Sequence, residues 1–477
     1  MPIVQNQSFF YAHSSLIQNR CSLNPGFILS VDILHSLRIF KTIIMKSKLL
    51  LLVLPVLFIA FWFSVDISED TYAETQRTLE PMDGCVFMTI MGEQSSKDFN
   101  AFKNDENLNF SVRDGLAWMS DAQLPNGGYG AGSHNAQHVR DPHAVKADPA
   151  TTAMVVQAFL RSGTTLNGGK YSKNLKTAIN YLLETVENTP QNSPYITDVR
   201  GTQIQTKLGQ NIDAVLTAQV LSNLVDRNLQ GVDKKRVIRC LDICVSKIEQ
   251  GTDASGRQEG AGWAGVLQSG LATSALESAQ AVGADVEEEV IQRTRNYQKD
   301  NYDAKSGNVK TDDGAGVMLY AVSNSVRASA KEARKVRKDF ERAKREGRID
   351  KDATISAATL KKIGYDETSA MEYNASYEVY ESAKNKAQQS DVLDGFGNNG
   401  GEEFLSFLQT GESLVVNQDK DWKKWYDDMS GRILKIQNED GSWNGHHCIT
   451  SPVFCTATSI LLLTVENDID FLSKVGE

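Results

Sequence analysis

The histidines are the residues of this chain best suited to chemistry, and they fall in two places. After residue 73, three histidines share a segment with two aspartates near the start of the chain's body, and two more lie near its end beside a cysteine. The residues are His134, His138, Asp141, His143, Asp148, His446, His447 and Cys448. Imidazole, carboxylate and thiolate groups are ligands that zinc accepts, and a histidine beside carboxylates can also transfer protons.

Three interpretations of these two segments are open. A zinc site would take its ligands from His138, His143, His446 and Cys448. An acid–base site would use the same imidazoles, with no residue yet assigned to catalysis. In the third interpretation the histidines are hydrogen-bonded loop residues that hold the two segments together. A shared site requires a fold that makes the two ends of the chain's body neighbours.

The body of the chain has the pattern of successive helices. Apolar residues recur at helical spacing, as at Val215, Ala218, Leu221 and Leu224, and no segment shows a convincing strand alternation. The predicted helices pair along the chain, and the second helix of a pair is richer in small residues than the first. This asymmetry predicts an all-α fold of hairpins, with the second helix packed tightly by its neighbours and the first half exposed.

Three loops between paired helices share glycine and an aromatic residue. They are AQLPNGGYG (122–130), QEGAGWAG (258–265) and IQNEDGSWNG (436–445). The shared positions are Gln123, Gly128, Tyr129, Trp263, Gln437, Gly441 and Trp443. Because glycine permits a tight turn and an aromatic ring can pack between hairpins, the loops predict a repeating unit of about 50 to 60 residues.

The glutamine-to-aromatic loops resemble the prenyltransferase and squalene-oxidase repeat. QNEDGSW at 437–443 is the closest match, QLPNGGY at 123–129 has tyrosine in place of tryptophan, and the loop at Trp263 is less similar. The resemblance covers roughly residues 110–322 and 400–465. In the squalene and terpenoid cyclases and the protein prenyltransferase β subunits this repeat builds an α/α toroid. The resemblance therefore implies a ring of about six hairpins whose ends meet.

The chemistry of that family does not transfer cleanly. Cyclases protonate their substrate with an aspartate motif ending in Thr-Ala, and alignment on Thr152 and Ala153 puts Ala150 at the position of the acid. Protein prenyltransferases hold zinc with an Asp-x-Cys pair. Asp242 and Cys244 match it in letters, but two positions apart on a helix they point to different faces.

We therefore expect an exported, non-cyclising toroid that binds a ligand or serves as a scaffold. The alternatives are a divergent terpenoid cyclase or prenyltransferase, and a metal-dependent enzyme at the histidine segments with zinc as its metal. The ligand would be a small molecule, isoprenoids included, or a protein. The net charge of −10 argues against a nucleic-acid partner.

The N-terminal part of the sequence predicts export. Residues 49–65 form an unbroken apolar run with lysines before it and acidic residues after it, as in a signal peptide cleaved after Ala73 or a membrane anchor. We expect residues 1–44 to be an upstream extension, 45–73 the signal or anchor, and 74–110 a linker. The protein would then be periplasmic or extracellular, and would contact the membrane through 49–65 if that segment is not cleaved.

A charged segment is expected to interrupt the ring. Residues 111–323 and 396–470 are the predicted toroid repeats, and 324–395 the insertion. Between Arg327 and Lys351 lie 11 basic and 5 acidic residues, which predicts a solvated helical hairpin or a docking arm for an acidic partner or an anionic membrane. After it, Glu402 and Glu403 could line a cavity, although adjacent residues of a helix point apart.

The cysteines give one candidate disulfide. Five cysteines follow residue 73, so they cannot all pair within the chain. Cys448 and Cys455 are the best candidate pair in an exported protein. Cys240 and Cys244 lie four positions apart on one helical face and are expected to be buried thiols.

Overall fold

The computed structural model describes residues 106–477, apart from 191–192, 194, 228–229, 396–399 and 447. These residues form helices joined by loops, with one antiparallel pair of short strands, β1 (Tyr302–Asp303) and β2 (Asn308–Val309). The predicted all-α class is confirmed. The predicted extension, signal or anchor and most of the linker lie outside the described residues. Among the helices described, none is both long enough and apolar enough to cross a bilayer.

The long helices of the described chain alternate along the sequence between outer and inner positions, and we call each outer helix and the inner helix that follows it in sequence a hairpin. The outer helices are α1 (Glu106–Asp121), α3 (Ser172–Glu187), α6 (Lys234–Gln250), α8 (Glu288–Lys299), α11 (Glu367–Ala387) and α14 (Trp422–Leu434). The inner helices are α2 (Pro149–Arg161), α5 (Ile212–Arg227), α7 (Gly265–Ala281), α9 (Met318–Arg345), α13 (Gly401–Asn417) and α15 (Pro452–Leu463). The shorter helices are α4 (Gln203–Leu208), α10 (Ala357–Lys362), α12 (Ser390–Leu393) and α16 (Ile469–Val475).

The inner helices contact one another in a closed cycle. Helix α2 packs on α5, α5 on α7, α7 on α9, α9 on α13, α13 on α15, and α15 returns to α2. The last outer helix, α14, also contacts the first, α1. The first and last hairpins are therefore neighbours, as an α/α toroid requires.

Side-chain size explains which helix of a hairpin lies inside. Helix α7 is rich in Gly, Ala, Ser and Thr and buries residues all round, because small side chains let the neighbouring helices approach. A Cβ atom at Gly270 would lie 1.6 Å from the Oδ1 of Asn324, so the close approach requires glycine. Helix α6 instead buries one stripe, which includes the predicted buried thiols Cys240 and Cys244, and exposes charged residues on its other side.

The charged segment has other bounds than the sequence suggested. Helix α9 runs unbroken from Met318 to Arg345, and residues 319–330 are buried in the ring. The boundary expected at 323/324 thus falls within an inner helix. Helix α11, which was expected in the insertion, packs along α9 as an outer helix. A small second core of Val336, Leu360 and Ala370 holds the far end of α9 against α10 and α11.

The predicted disulfide is wrong. No disulfide joins Cys448 to Cys455. Cys455 lies in α15 and its Sγ donates to the carbonyl oxygen of Ile449 at 3.6 Å. Cys448 precedes that helix in a left-handed backbone conformation, with φ of +67°. The two thiols therefore occupy different environments.

Candidate functional site

Two of the predicted repeat loops have the same turn. The side-chain amide of Gln123 donates to the carbonyl of Gly127 at 2.8 Å, and that of Gln437 donates to the carbonyl of Gly441 at the same distance. Both glycines have a left-handed backbone, with φ of +84° and +88°, which other residues rarely adopt. The glutamine and the glycine four residues later therefore define the loop together.

The aromatic residues of these two loops are also equivalent. Tyr129 and Trp443 are fully buried, as predicted. The backbone N–H of Tyr129 donates to the hydroxyl of Thr152 in α2, and that of Trp443 donates to the hydroxyl of Thr456 in α15, both at 2.9 Å. Each aromatic residue thus fixes its loop to the inner helix that follows.

Gly127 and Gly441 let their loops pack closely on the outer helix of another hairpin. A Cβ atom at Gly127 would lie 2.7 Å from the carbonyl oxygen of Thr177 in α3. At Gly441 it would lie 2.8 Å from the carbonyl oxygen of Asp114 in α1. The first loop therefore packs on the outer helix of the second hairpin, and the last loop packs on the outer helix of the first. The cycle closes at the loops as well as at the inner helices.

The third loop has a glycine in the same left-handed conformation, but at a different position from the one that the sequence predicted. Gly256 has φ of +89°, and its N–H donates to the carbonyl of Asp253 at 3.0 Å. A Cβ atom there would lie 2.1 Å from the carbonyl oxygen of Arg293 in α8, the next outer helix. Gly256 is therefore the counterpart of the glycines in the first and last loops.

Gln258 takes the place of the aromatic residue in this third loop. It follows Gly256 by two positions, is buried, and directs its backbone N–H to the hydroxyl of Ser269 in α7 at 3.4 Å. Trp263 comes five positions later. The prediction that Trp263 is the aromatic residue of the repeat and packs between hairpins is therefore wrong.

Trp263 lies at the surface instead, with 62% of the residue exposed. Gly262 brings it close to α4, because a Cβ atom at Gly262 would lie 2.6 Å from the backbone of Lys207. The Nζ of Lys207 lies 3.8 Å from an indole ring centroid, a cation–π contact, and the imidazole of His134 lies 6.2 Å from the indole, centroid to centroid. Burial and the charge of Lys207 both lower the pKa of His134.

These residues lie where the inner helices begin. We call the segments that precede the inner helices the mouth: residues 131–148, 201–211, 258–264, 310–317, 400, and 444–451 without 447. Across it, the N–H of Thr450 donates to Oε1 of Gln203 at 2.7 Å, and its hydroxyl donates to the carbonyl of Gln137 at 2.8 Å. Arg140 donates to the carbonyl of Gly445 at 3.1 Å. The two histidine segments are therefore in contact.

Most of the predicted site histidines lie at the surface. Exposed members are His138, His143 and His446. Asp141 accepts the N–H of His143 at 2.9 Å and so caps a short turn. Within the described part of the chain, no group of three or more His, Cys, Asp or Glu side chains is placed to hold a metal ion, and His447 lies outside that part. A zinc site stays a prediction, which elemental analysis of the purified protein would test.

Asp148, another predicted site residue, is a buried helix cap. Its carboxylate accepts the N–H of Thr151 at 2.7 Å and of Ala131 at 2.9 Å. Nearby, Asp213 of α5 accepts the N–H of Ala150 at 3.0 Å. Burial raises the pKa of Asp148 to about 6, and burial together with the charge of Asp148 raises the pKa of Asp213 to about 7. Both carboxylates hold the start of α2 through these hydrogen bonds.

Glu402 and Glu403 are buried at the start of α13. Glu402 accepts the N–H of Ile449 at 3.2 Å. Glu403 accepts the hydroxyl of Tyr320 at 2.9 Å and the N–H of Gly400 at 3.0 Å. Burial, together with the charge of Glu403, raises the pKa of Glu402 to about 8. The two carboxylates point to different partners, as adjacent helix residues should, and tie α9, α13 and the last loop together.

Lys207 is the residue of the mouth that sequence reasoning missed. It lies near the end of α4, is 3% exposed, and interacts with the indole of Trp263 and the thiol of Cys448. Burial and the charge of Glu402 raise the pKa of that thiol to about 11, although Lys207 lowers it. Among the described residues, no carboxylate forms an ion pair with Lys207. Nothing in the sequence distinguishes it from other lysines, because the fold is what buries it.

Polar side chains fill the ring between α7, α9 and α13. The amide of Gln409 donates to Oδ1 of Asn324 at 3.0 Å, and the hydroxyl of Ser323 donates to Oε1 of Gln409 at 3.4 Å. All three residues are buried. The buried amide of Gln268 in α7 has no hydrogen-bond partner among the described residues. This part of the interior is therefore packed and polar.

No family model, curated protein or solved structure matches the chain.

Proposed function

We propose that this protein is an α/α toroid of the prenyltransferase and squalene-oxidase repeat type that binds a small polar molecule at its mouth and does not cyclise an isoprenoid. The observation that carries the proposal is the exposed indole of Trp263, which lies against Lys207 and His134. Tryptophan is a side chain that folded proteins mostly bury and that binding sites favour. Since Trp263 has no part in the repeat, ligand contact is the role that fits it.

The closed cycle of inner helices and the three equivalent loops support the toroid. Gly127, Gly256 and Gly441 each pack on the outer helix of the next hairpin in the cycle. In a row of stacked hairpins the last loop would have no next hairpin to pack on. Here Gly441 packs on the first one.

The polar interior favours a polar ligand over an isoprenoid. An isoprenoid chain offers no hydrogen bonds to the buried amides of Gln268, Asn324 and Gln409, so burying it against them would be unfavourable. Ala150 lies where cyclases of this family carry their acid, and it has no proton to donate. Both observations argue against cyclisation.

A ligand screen with a matched control tests the proposal. The panel holds mono- and disaccharides, nucleosides and amino acids, with farnesol and geranyl diphosphate as isoprenoid comparators, and binding is read by calorimetry. We expect a polar member to bind, and Trp263→Ala to abolish its binding. Phe110→Ala is the control, because Phe110 is also an exposed aromatic residue under a cation, Arg113, but lies on outer helix α1. Binding of isoprenoids alone, or binding that survives Trp263→Ala, would contradict the proposal.

A further inference from the structure

Lys207 is a buried cation whose charge acts on the carboxyl of Glu402 without an ion pair between the two. Its residue is 3% exposed, and no ion pair within the described part of the chain involves its ammonium. A buried ammonium is costly unless it is paired, and its three N–H donors need acceptors. The contacts that it makes are with the π face of Trp263 and the thiol of Cys448, and both are weak acceptors.

The carboxylates of Glu402 and Glu403 accept hydrogen bonds from other groups. Glu402 accepts the backbone N–H of Ile449, and Glu403 accepts the hydroxyl of Tyr320 and the N–H of Gly400. These bonds hold the carboxylates within the helix packing of the ring. The ammonium is therefore available to an anion that enters the mouth.

The exposed indole of Trp263 indicates a second feature of the ligand. A flat, apolar face is complementary to another face of C–H groups or of a ring, and stacking there buries apolar area. A pyranose ring offers such a face and carries hydroxyl groups around its edge. Those hydroxyls suit His134, which lies beside the indole, and Gln137, whose side chain is hydrogen-bonded to that of His134 at 2.7 Å.

We infer that the mouth recognises an anionic saccharide, whose carboxylate or phosphate pairs with Lys207 while a pyranose face stacks on Trp263. This inference rests on the proposed function and names the ligand class for the same site. The shared chemistry is a sugar ring with an anionic substituent. Whether the anion is a uronate or a sugar phosphate is a matter for the experiment.

The experiment compares matched charged and neutral sugars by calorimetry. Digalacturonate is compared with galactobiose, and galactose 6-phosphate with galactose, at low and high ionic strength. We expect one charged member to bind about tenfold more tightly than its neutral partner at low salt, as a charge-assisted hydrogen bond allows. Salt should reduce that preference, because it screens the attraction between the anion and the ammonium. The pair that shows the preference identifies the anion.

Two variants test whether Lys207 causes the preference for the charged sugar. Lys207→Met should remove it and leave weak binding of the sugar ring, whereas Lys207→Arg should retain most of it because the charge remains. If Lys207→Met does not fold, the salt dependence of the unaltered protein and the Lys207→Arg variant still provide the test. Equal affinity for charged and neutral sugars overturns the inference, while Trp263-dependent binding of a neutral sugar would leave the proposed function standing. If no polar ligand binds in a Trp263-dependent way, the proposed function fails as well.

Discussion

The side-chain amide of Gln437 donates a hydrogen bond to the backbone carbonyl of Ser111 at 2.9 Å, across 326 positions of sequence. The hydroxyl of Ser111 donates to the amide oxygen of Gln437 in return, at 2.5 Å. Gln123 makes the corresponding bond to the carbonyl of Asn174, in the outer helix of the second hairpin, also at 2.9 Å. The last loop thus contacts the first hairpin in the way that the first loop contacts the second, and this contact links the two ends of the cycle of helices.

Gly441→Ala tests the closure at the last loop. Alanine there would both strain the left-handed backbone and overlap the carbonyl of Asp114 in α1. Gly163→Ala is the matched control, because Gly163 has nearly the same φ, +87°, with nothing within 4 Å of its would-be Cβ. The backbone strain is common to both, so the overlap should make Gly441→Ala more destabilising by about 1 to 3 kcal/mol in urea unfolding. Equal losses for the two variants would mean that the loop does not pack on α1.

Arg161 tests the closure at the other end of the inner helices. Its guanidinium is buried and pairs with Asp468 and Glu412, both at 2.7 Å. Arg161→Met leaves Glu412 without its cation and Asp468 with Arg227 alone, so we expect a loss of about 3 kcal/mol in the free energy of unfolding.

Arg236→Met is the control for that loss. Arg236 also pairs with a carboxylate at 2.7 Å, that of Glu187, but on the surface between two outer helices. Removing a surface ion pair should cost about 0 to 1 kcal/mol. Similar losses for the Arg161 and Arg236 variants would show that the buried pairs do not hold the ring together.

Trp443 and Trp263 should differ in their effect on stability. Trp443 is fully buried, and its indole N–H donates to the carbonyl of Ile433 at 2.9 Å, so Trp443→Ala should destabilise the fold by about 3 to 5 kcal/mol. Trp263→Ala should cost about 1 kcal/mol or less, because an exposed side chain loses little packing and the change removes one cation–π contact, that with Lys207. Thermal or urea unfolding of both variants checks this. A large loss of stability in Trp263→Ala would show that Trp263 does pack as a residue of the repeat.

The Asp148–Asp213 pair predicts a stability that falls as pH rises. Both pKa values are raised in the folded state, from 3.8 to about 6 and about 7, so the folded protein holds protons that the unfolded chain releases. The resulting stability is fully present below about pH 4 and is lost as pH rises through about 6 to 7.

Asp213→Asn should reduce the pH dependence, because an amide keeps an acceptor for the N–H of Ala150 without a charge, whereas the contribution of Glu402, whose pKa is raised to about 8, should remain. The measurement is the free energy of unfolding between pH 5 and pH 8, pH values that bracket the raised pKa of about 7. Asp300→Asn, at an exposed position, should leave the dependence unchanged. A variant at Asp213 that keeps the full slope would show that the pair is not its source.

The helices were readable from the sequence because burial here follows helical periodicity. Val215, Ala218, Leu221 and Leu224, which recur at helical spacing in the sequence, are all buried residues of α5. The turn of the first and last loops was readable in part. Gly441 was the predicted glycine of the last loop, but in the first loop the sequence indicated Gly128, whereas Gly127 is the counterpart of Gly441. The far end of α9 was assigned to the charged insertion because it is rich in basic residues, although it continues an inner helix without a break.

The third loop shows why part of the site could not be predicted. Its aromatic position is filled by Gln258, and the nearby Trp263 suggested a register that the backbone does not adopt. Aligning the loops on their left-handed glycines gives the right register, since Gly256 follows Thr252 by four positions, as Gly441 follows Gln437. The burial of Lys207 depends on the approach of Gly262 from a distant segment, which periodicity does not encode.

The most direct test of the account is the distance between the first hairpin and the last loop in solution. Spin labels at Arg113→Cys in α1 and Glu439→Cys in the last loop would report it, with Cys85 and Cys448 replaced by serine. A closed ring predicts a distance below about 20 Å, the width of two adjacent helices. An open row of six hairpins, spaced by about 10 Å, would place the labels about 50 Å apart, and that result would contradict both the ring and the mouth that it forms.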